Sequence, residues 1–239
     1  MKRSVLVVAA IMIVSYIAAI VIVEASEAYK INYDSRLDIQ GYRFTPIDYD
    51  AEAKGHIFID YVSYASLDEL VNSSKVIIVG RVVDVKGSLL DTSYAKMYGY
   101  PSLSMPYTFY EVKVERVLKG ILYTREGSSI LVAHRGGMAY DGSRVTSSDD
   151  MLMKDGRYVM FMNSPTEESW APGLIFYYTS KNARYVVNDD GNVYEGLCTK
   201  SEPGCVSKPL QQFLDEVMLS VIKGYVTGMF FCSYLHICR

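Results

Sequence analysis

The hydrophobic pattern changes character along the chain, and each change marks a different kind of element. Residues 4–23 carry no charge, Pro or Gly and are dominated by Val, Ile and Ala. About 20 such residues in a helix span a hydrocarbon core of roughly 30 Å. A helix buried in a globular core keeps a polar face, and this run has none. Residues 29–54 are polar, rich in Tyr and Asp, and without period, as in a linker. Alternation then takes over: Ile57, Ile59 and Tyr61 share one side of a first strand over 56–62.

Ser66-Leu67-Asp68-Glu69 is a capping box that starts a short helix over 66–74, with Leu67, Leu70 and Val71 on one face. Residues 76–85 are a β-branched run that reads as a buried strand, with a bend or bulge at Gly80. The clearest strand covers 107–118. Tyr110, Val112 and Val114 face one way, and Phe109, Glu111, Lys113 and Glu115 the other. Further strands are predicted at 129–134, 157–162, 174–178 and 183–187. The last pairs with 192–195 across Asp189-Asp190-Gly191, a strong hairpin signal. Ser207-Lys208-Pro209 opens a helix whose Leu210, Phe213, Leu214, Val217, Met218, Val221 and Ile222 form a stripe meant to lie on the sheet.

Residues 86–106 contain Gly, Pro and Ser without period and read as a long loop. Residues 226–239 read as a short apolar tail, either a final strand or a segment docked against the body, too short to span a bilayer. The chain divides accordingly: an anchor or signal peptide over 1–28, a linker over 29–55, one domain over 56–225 and the tail over 226–239. The predicted fold class is mainly β with two flanking helices.

Composition sharpens this picture in three places. A net charge of -3 without any basic stripe excludes a phosphate-binding surface, and with it a nucleic-acid partner. Lys2 and Arg3 hold the start of the apolar run in the cytoplasm and send the rest outward, so the domain belongs on the outer side of the membrane or is secreted. Val23-Glu24-Ala25 and Ser26-Glu27-Ala28 both suit a signal peptidase, while the length of the run favours a retained anchor. Tyrosine is abundant, with 21 residues against 8 Phe and 1 Trp. Half-buried strands account for many of them, and an adhesive face for the remainder is the functional alternative.

The order of these signals resembles a known family. Residues 74–82 (Ser-Lys-Val-Ile-Ile-Val-Gly-Arg-Val), 110–120 (Tyr-Glu-Val-Lys-Val-Glu-Arg-Val-Leu-Lys-Gly), Gly136-Gly137 and 156–161 (Gly-Arg-Tyr-Val-Met-Phe) are similar to the netrin-like module of netrins and tissue inhibitors of metalloproteinases. The resemblance extends to exported prokaryotic proteins of unknown function. It spans roughly residues 64–165 and implies an OB-like Greek-key β-barrel behind the N-terminal hydrophobic helix. The animal inhibitors chelate zinc through an N-terminal cysteine, whereas the first cysteine here is Cys198. His134-Arg135 also stands where the module has a cysteine before its glycine. Inhibition by that route does not carry over.

Candidate chemistry is sparse. Cys198, Cys205, Cys232 and Cys238 make an even count, read in an exported chain as disulfides with three connectivities. Cys198–Cys205 brackets a Pro-Gly turn and Cys232–Cys238 is the natural second pair, each small loop contributing about 2–3 kcal/mol. His236 near Cys232 and Cys238 fits no compact zinc site, and no cofactor is called for. Asn72-Ser73-Ser74 is a glycosylation sequon. The run from Asn188 to Asn192 is a turn rather than half a calcium loop, because the chain returns at once to Val193 and Tyr194.

No Gly-x-Ser-x-Gly or His-Glu-x-x-His is present, and His56, His134 and His236 stand far apart. The leading expectation is a non-catalytic binding or structural module. Its anchor sits in the membrane through the N-terminal helix, and its partner is a surface protein or polymer met by loops 86–106 and 138–150. The alternative is an exported hydrolase assembled from distant residues such as His134, Asp149 and Asp150.

Overall fold

The computed structural model describes residues 42–57, 64–147, 152–179, 183–195 and 207–235. The chain forms two compact units, Met1–Arg36 and Leu37–Arg239, and every described residue belongs to the second. The expected N-terminal helix lies outside the described residues. Among the described residues no helix is long and apolar enough to cross a membrane.

The body is mainly β. Its strands are β1 (Ala53–Ile57), β2 (Val76–Asp91), β3 (Met105–Lys119), β4 (Ser129–Arg135), β5 (Gly137–Met138), β6 (Arg144–Ser147), β7 (Arg157–Met162), β8 (Thr166–Glu167), β9 (Leu174–Phe176), β10 (Arg184–Val187), β11 (Asn192–Glu195) and β12 (Ser207–Pro209). The helices are α1 (Leu67–Ser73), α2 (Ser93–Tyr98) and α3 (Leu210–Leu235). One sheet has nine strands in the order β12-β11-β10-β7-β2-β3-β4-β9-β8, and a second has three, β1-β6-β5. All pairs in the large sheet are antiparallel except β4 with β9.

The long β2–β3 hairpin is the spine. Val76, Ile77, Ile78 and Val79 are buried on both faces, which is why they read as a continuous apolar run instead of an alternation. β7 pairs along their free edge, Val76 opposite Met162 through Arg81 opposite Arg157. The bulge expected at Gly80 is present as a register shift between Val79 and Gly80. One face packs beneath α1 and α3, where Leu70, Val71, Phe213, Leu214, Val217 and Val221 are buried. Ser66 caps α1 by accepting the Glu69 amide at 3.2 Å, and the Glu69 carboxylate takes the Ala65 amide at 2.9 Å.

The alternation of β3 holds, but its second face is not all wet. Tyr107 and Phe109 join Leu131, Ala133, Ala171 and Ile175 in a separate buried cluster. Trp170 closes it, 4.9 Å from the Tyr107 ring and 5.9 Å from the Phe109 ring. Glu111, Lys113 and Glu115, farther along the strand, carry the polar part of that face. Lys86 pairs there with Glu111 at 2.7 Å, and Glu115 bridges Arg81 and Arg157. Such partly exposed pairs contribute about 0–1 kcal/mol each, so packing decides this fold.

Several expectations change. The linker over 29–55 is in its second half part of the body: Thr45 and Ser88 exchange backbone hydrogen bonds at 2.9 and 2.7 Å, and Phe44 packs edge-on to Phe109. The first strand begins at Ala53 and pairs in parallel with β6 in the smaller sheet. The loop over 86–106 is mostly regular structure, because β2 continues to Asp91. Gly87 permits this with φ +114; a Cβ there would stand 2.5 Å from the Thr45 carbonyl oxygen. Ser207-Lys208-Pro209 is a strand on β11 before the helix begins, and α3 continues through Leu235 where a strand or docked tail was expected.

The predicted barrel is not closed by a continuous ladder, since the large sheet ends at β12 and at β8. Beyond β9, Tyr178 makes a lone antiparallel bridge with Met162 at the end of β7. Asn163 donates to the Tyr177 carbonyl and Thr179 to that of Phe161, both at 3.0 Å.

Candidate functional site

Two places gather side chains that the packing of the body does not explain. The first is the tip of the β2–β3 hairpin. After Asp91 the chain leaves the sheet, and the Asp91 carboxylate accepts the Ser93 amide at 2.9 Å to start α2. Gly99, in the left-handed region at φ +76, ends that helix by donating to the Ala95 carbonyl. Pro101 then starts a single 3-10 turn, Pro101–Leu103, which delivers the chain into β3.

A six-residue helix cannot hold itself by hydrogen bonds alone and normally borrows stability from an apolar face packed on a core. Nothing on α2 is buried. Tyr94 is 60% exposed, Met97 71%, Tyr98 58%, Tyr100 64% and Leu103 44%. The Tyr94 and Tyr98 rings lie parallel, 6.4 Å apart and 5° from coplanar orientation. Single exposed apolar residues are ordinary; five large ones within ten residues are a patch of the kind that covers itself with a partner. Lys96 is the only charged residue from 92 to 104.

The second place lies around Tyr178, beside its isolated bridge to Met162. Arg184 stands opposite Met160 on β10 and is 4% exposed. Its guanidinium carbon lies 6.0 Å from the centre of the Tyr178 ring, and the His134 ring meets the same ring edge-on at 6.3 Å. Tyr110, fully buried, places its hydroxyl near the Leu152 backbone without a well-formed hydrogen bond. Burial holds that phenol above its ordinary range, the neighbouring Tyr49 and Tyr178 add to the rise, and Arg184 opposes it. The hydroxyl therefore stays protonated across the biological pH range.

The residues singled out from sequence fall as follows. Asn72 is exposed on the last turn of α1, its carboxamide oxygen against Gly224 of α3, and the hydroxyl of Ser74 is buried, donating to the Leu70 carbonyl at 2.7 Å. Cys198, Cys205 and Cys238 lie outside the described residues, and of Cys232 only the helical backbone is described. Asp149, Asp150 and His236 also lie outside the described residues, as do the side chains of His56 and Glu195. The Asn188–Asn192 segment is a turn: Gly191 donates to the Asn188 carbonyl at 2.9 Å and the Asp190 carboxylate accepts the Asn192 amide at 3.0 Å. Among the described residues no cluster of His, Cys, Asp or Glu is placed to hold a metal ion.

His134 sits at 2% exposure near the end of β4, opposite Thr108 and just before the Gly136-Gly137 turn. The loop edge belongs to the following glycines. Gly137, at φ +138, approaches Ser88 and Thr108 so closely that a Cβ there would collide with the Ser88 hydroxyl. Those hydroxyls hold the turn: Thr108 donates to the Gly136 carbonyl at 2.8 Å, and Ser88 accepts the Met138 amide at 3.1 Å. Sequence reading did not single out Arg184; its signal, an Arg at an inward position of a strand, becomes visible only once the register of β10 on β7 is known.

No family model matches the chain, and no curated protein matches it.

Proposed function

We propose that this chain is an extracytoplasmic binding module, carried outward by the hydrophobic segment over 4–23, that engages a surface protein or polymer through the tip of its β2–β3 hairpin. The single observation that carries this reading is the exposed set Tyr94, Met97, Tyr98, Tyr100 and Leu103 on a structured excursion that buries nothing. Aromatic residues supply contact area at low entropic cost, and binding segments are commonly mounted on a rigid scaffold. The hairpin below the tip is such a scaffold.

The OB-like, netrin-like reading of that scaffold belongs to the same proposal. In its support, β2, β3 and β4 form a meander, β9 joins β4 in parallel, β7 joins β2, and the Tyr178–Met162 bridge brings the segment after β9 to β7. That circuit has the character of a partly open five-stranded Greek-key barrel.

The test uses the full chain in its native membranes with a photoreactive residue at position 98, and, as control, at Ile121. Ile121 is 72% exposed and follows the opposite end of β3. Cross-linked product at 98 and not at 121 is the expected result. Equal products at both positions, or none at 98, would overturn the proposal.

A further inference from the structure

The outward face of α3 changes its chemistry along the helix. At helical spacing, Gln212 and Asp215 begin a row that continues through Leu219, Ile222 and Val226. The polar end is solvated, and the Asp215 carboxylate accepts a hydrogen bond from the neighbouring Gln211 at 2.7 Å. The apolar end is equally open to water: Leu219 and Ile222 are each 54% exposed and Val226 44%. Phe213, Leu214, Val217 and Val221, on the other side of the helix, lie in the core. Past Val221 no described side chain of α3 is buried. The backbone nevertheless stays helical through Leu235, and Tyr225–Leu235 carries no charged residue. A helix that keeps a wide apolar surface beyond its own core is covered by another protein or by lipid.

Charge decides between these covers. From Val217 to Arg239 the sequence has no Asp or Glu, while Lys223 and Arg239 are cationic. Lys223 stands 3.6 Å from Asp68 and still keeps a 57% exposed side chain. Two copies pairing along this face would set cation against cation, whereas anionic lipid headgroups set opposite charges together. The same stretch is rich in aromatic residues (Tyr225, Phe230, Phe231 and Tyr234), a composition that collects at membrane–water boundaries. We propose that α3 from Leu219 onward binds the surface of an anionic bilayer, with Leu219, Ile222 and Val226 entering the headgroup boundary and Lys223 among the headgroups. The uncharged stretch is about 16 Å long at helical rise, half of a hydrocarbon core, so it lies on the bilayer and does not cross it. This contact is separate from the hairpin tip and stands or falls independently of it.

The experiment reconstitutes the full chain with vesicles of equimolar phosphatidylcholine and phosphatidylglycerol, with a photoreactive residue in place of Val226. The control carries it in place of Tyr98, which is also large, apolar and exposed. Lipid adducts, read by intact mass, are expected at 226 and not at 98. In vesicles of phosphatidylcholine alone the yield at 226 should fall about fivefold, as loss of attraction to a surface cation implies. Ile222→Asp, a change at an exposed position, should cut the yield roughly tenfold at an unchanged unfolding midpoint. Absence of lipid adducts at 226, equal adducts at 226 and 98, or products joining two copies through 226 in their place would overturn the proposal. So would equal yields in the two kinds of vesicle, or a yield unmoved by Ile222→Asp.

Discussion

The two ends of the β2–β3 hairpin are built from similar apolar residues and meet opposite fates. At its base Val76, Ile77, Ile78 and Val79 are at most 1% exposed, with β7 on one edge, β3 on the other, and apolar side chains over both faces. At its tip Tyr94, Met97 and Tyr98 are more than half exposed and touch no core. The aliphatic run at the base is paired and covered on every side, whereas the aromatic tip leaves the sheet where no element covers it. Base residues are held by burial worth about 1.5–3 kcal/mol for each large side chain, whereas tip residues contribute nothing comparable to stability. Their exposure on a structured excursion is what the proposed partner would cover.

This contrast can be broken or sharpened by substitution. The largest effect belongs to Phe161→Ala at the base. Phe161 is fully buried against Tyr185 and Phe213, with ring centres 5.6 and 6.5 Å away. Chemical denaturation should show a loss of about 3–5 kcal/mol. Gly87→Ala comes next, since the added methyl meets the Thr45 carbonyl in a backbone conformation unsuited to L residues. A loss above about 1 kcal/mol is expected, with faster hydrogen exchange at the Thr45 amide as the 42–45 segment detaches. At the tip, replacing Tyr94, Met97 and Tyr98 together by Ser should leave unfolding free energy within about 0.5 kcal/mol. A loss comparable to that of Phe161→Ala would show that the tip is structural after all.

The smallest effect is a pH dependence at the α1–α3 contact. The Ser220 hydroxyl, and secondarily Lys223, hold the Asp68 carboxyl below its ordinary range against the opposing effect of burial. A folded-state pKa below the unfolded one means stability that is present above the ordinary carboxylate range and lost as pH falls through the depressed value. Wild type should lose stability below about pH 4 that Asp68→Asn does not lose. Denaturation midpoints taken at pH 5 and pH 3 on both proteins check it, and parallel slopes would refute the assignment.

Elements with a local signal were legible in the sequence. The capping box at Ser66, the strand Arg157–Met162 and the Asp190-Gly191 hairpin need only neighbours within a few residues, and each stands where its pattern puts it. What escaped depends on distant partners. The stretch around Gly87 reads as loop because the strand continues only where Thr45 docks on it. α2 has no apolar period directed at a core, since no core lies beneath it. Phe109 alternates with charged residues, and residues distant in sequence, Phe44 and Trp170 among them, make its face dry. Of the candidate sites, the tip lay inside the loop expected to bind; its aromatic residues stand in the sequence, but the helix that carries them and their exposure did not. The burial of Arg184 required the strand register.

The most direct measurement takes the Tyr94, Met97 and Tyr98 to Ser triple variant and wild type through two readings in parallel, the unfolding midpoint and the amount of chain retained on intact cell surfaces stripped of their own copy. Equal midpoints with retention reduced at least about tenfold are predicted, the scale expected when several aromatic anchors leave one interface. Unchanged retention at an unchanged midpoint would contradict the assignment of the hairpin tip as the binding surface.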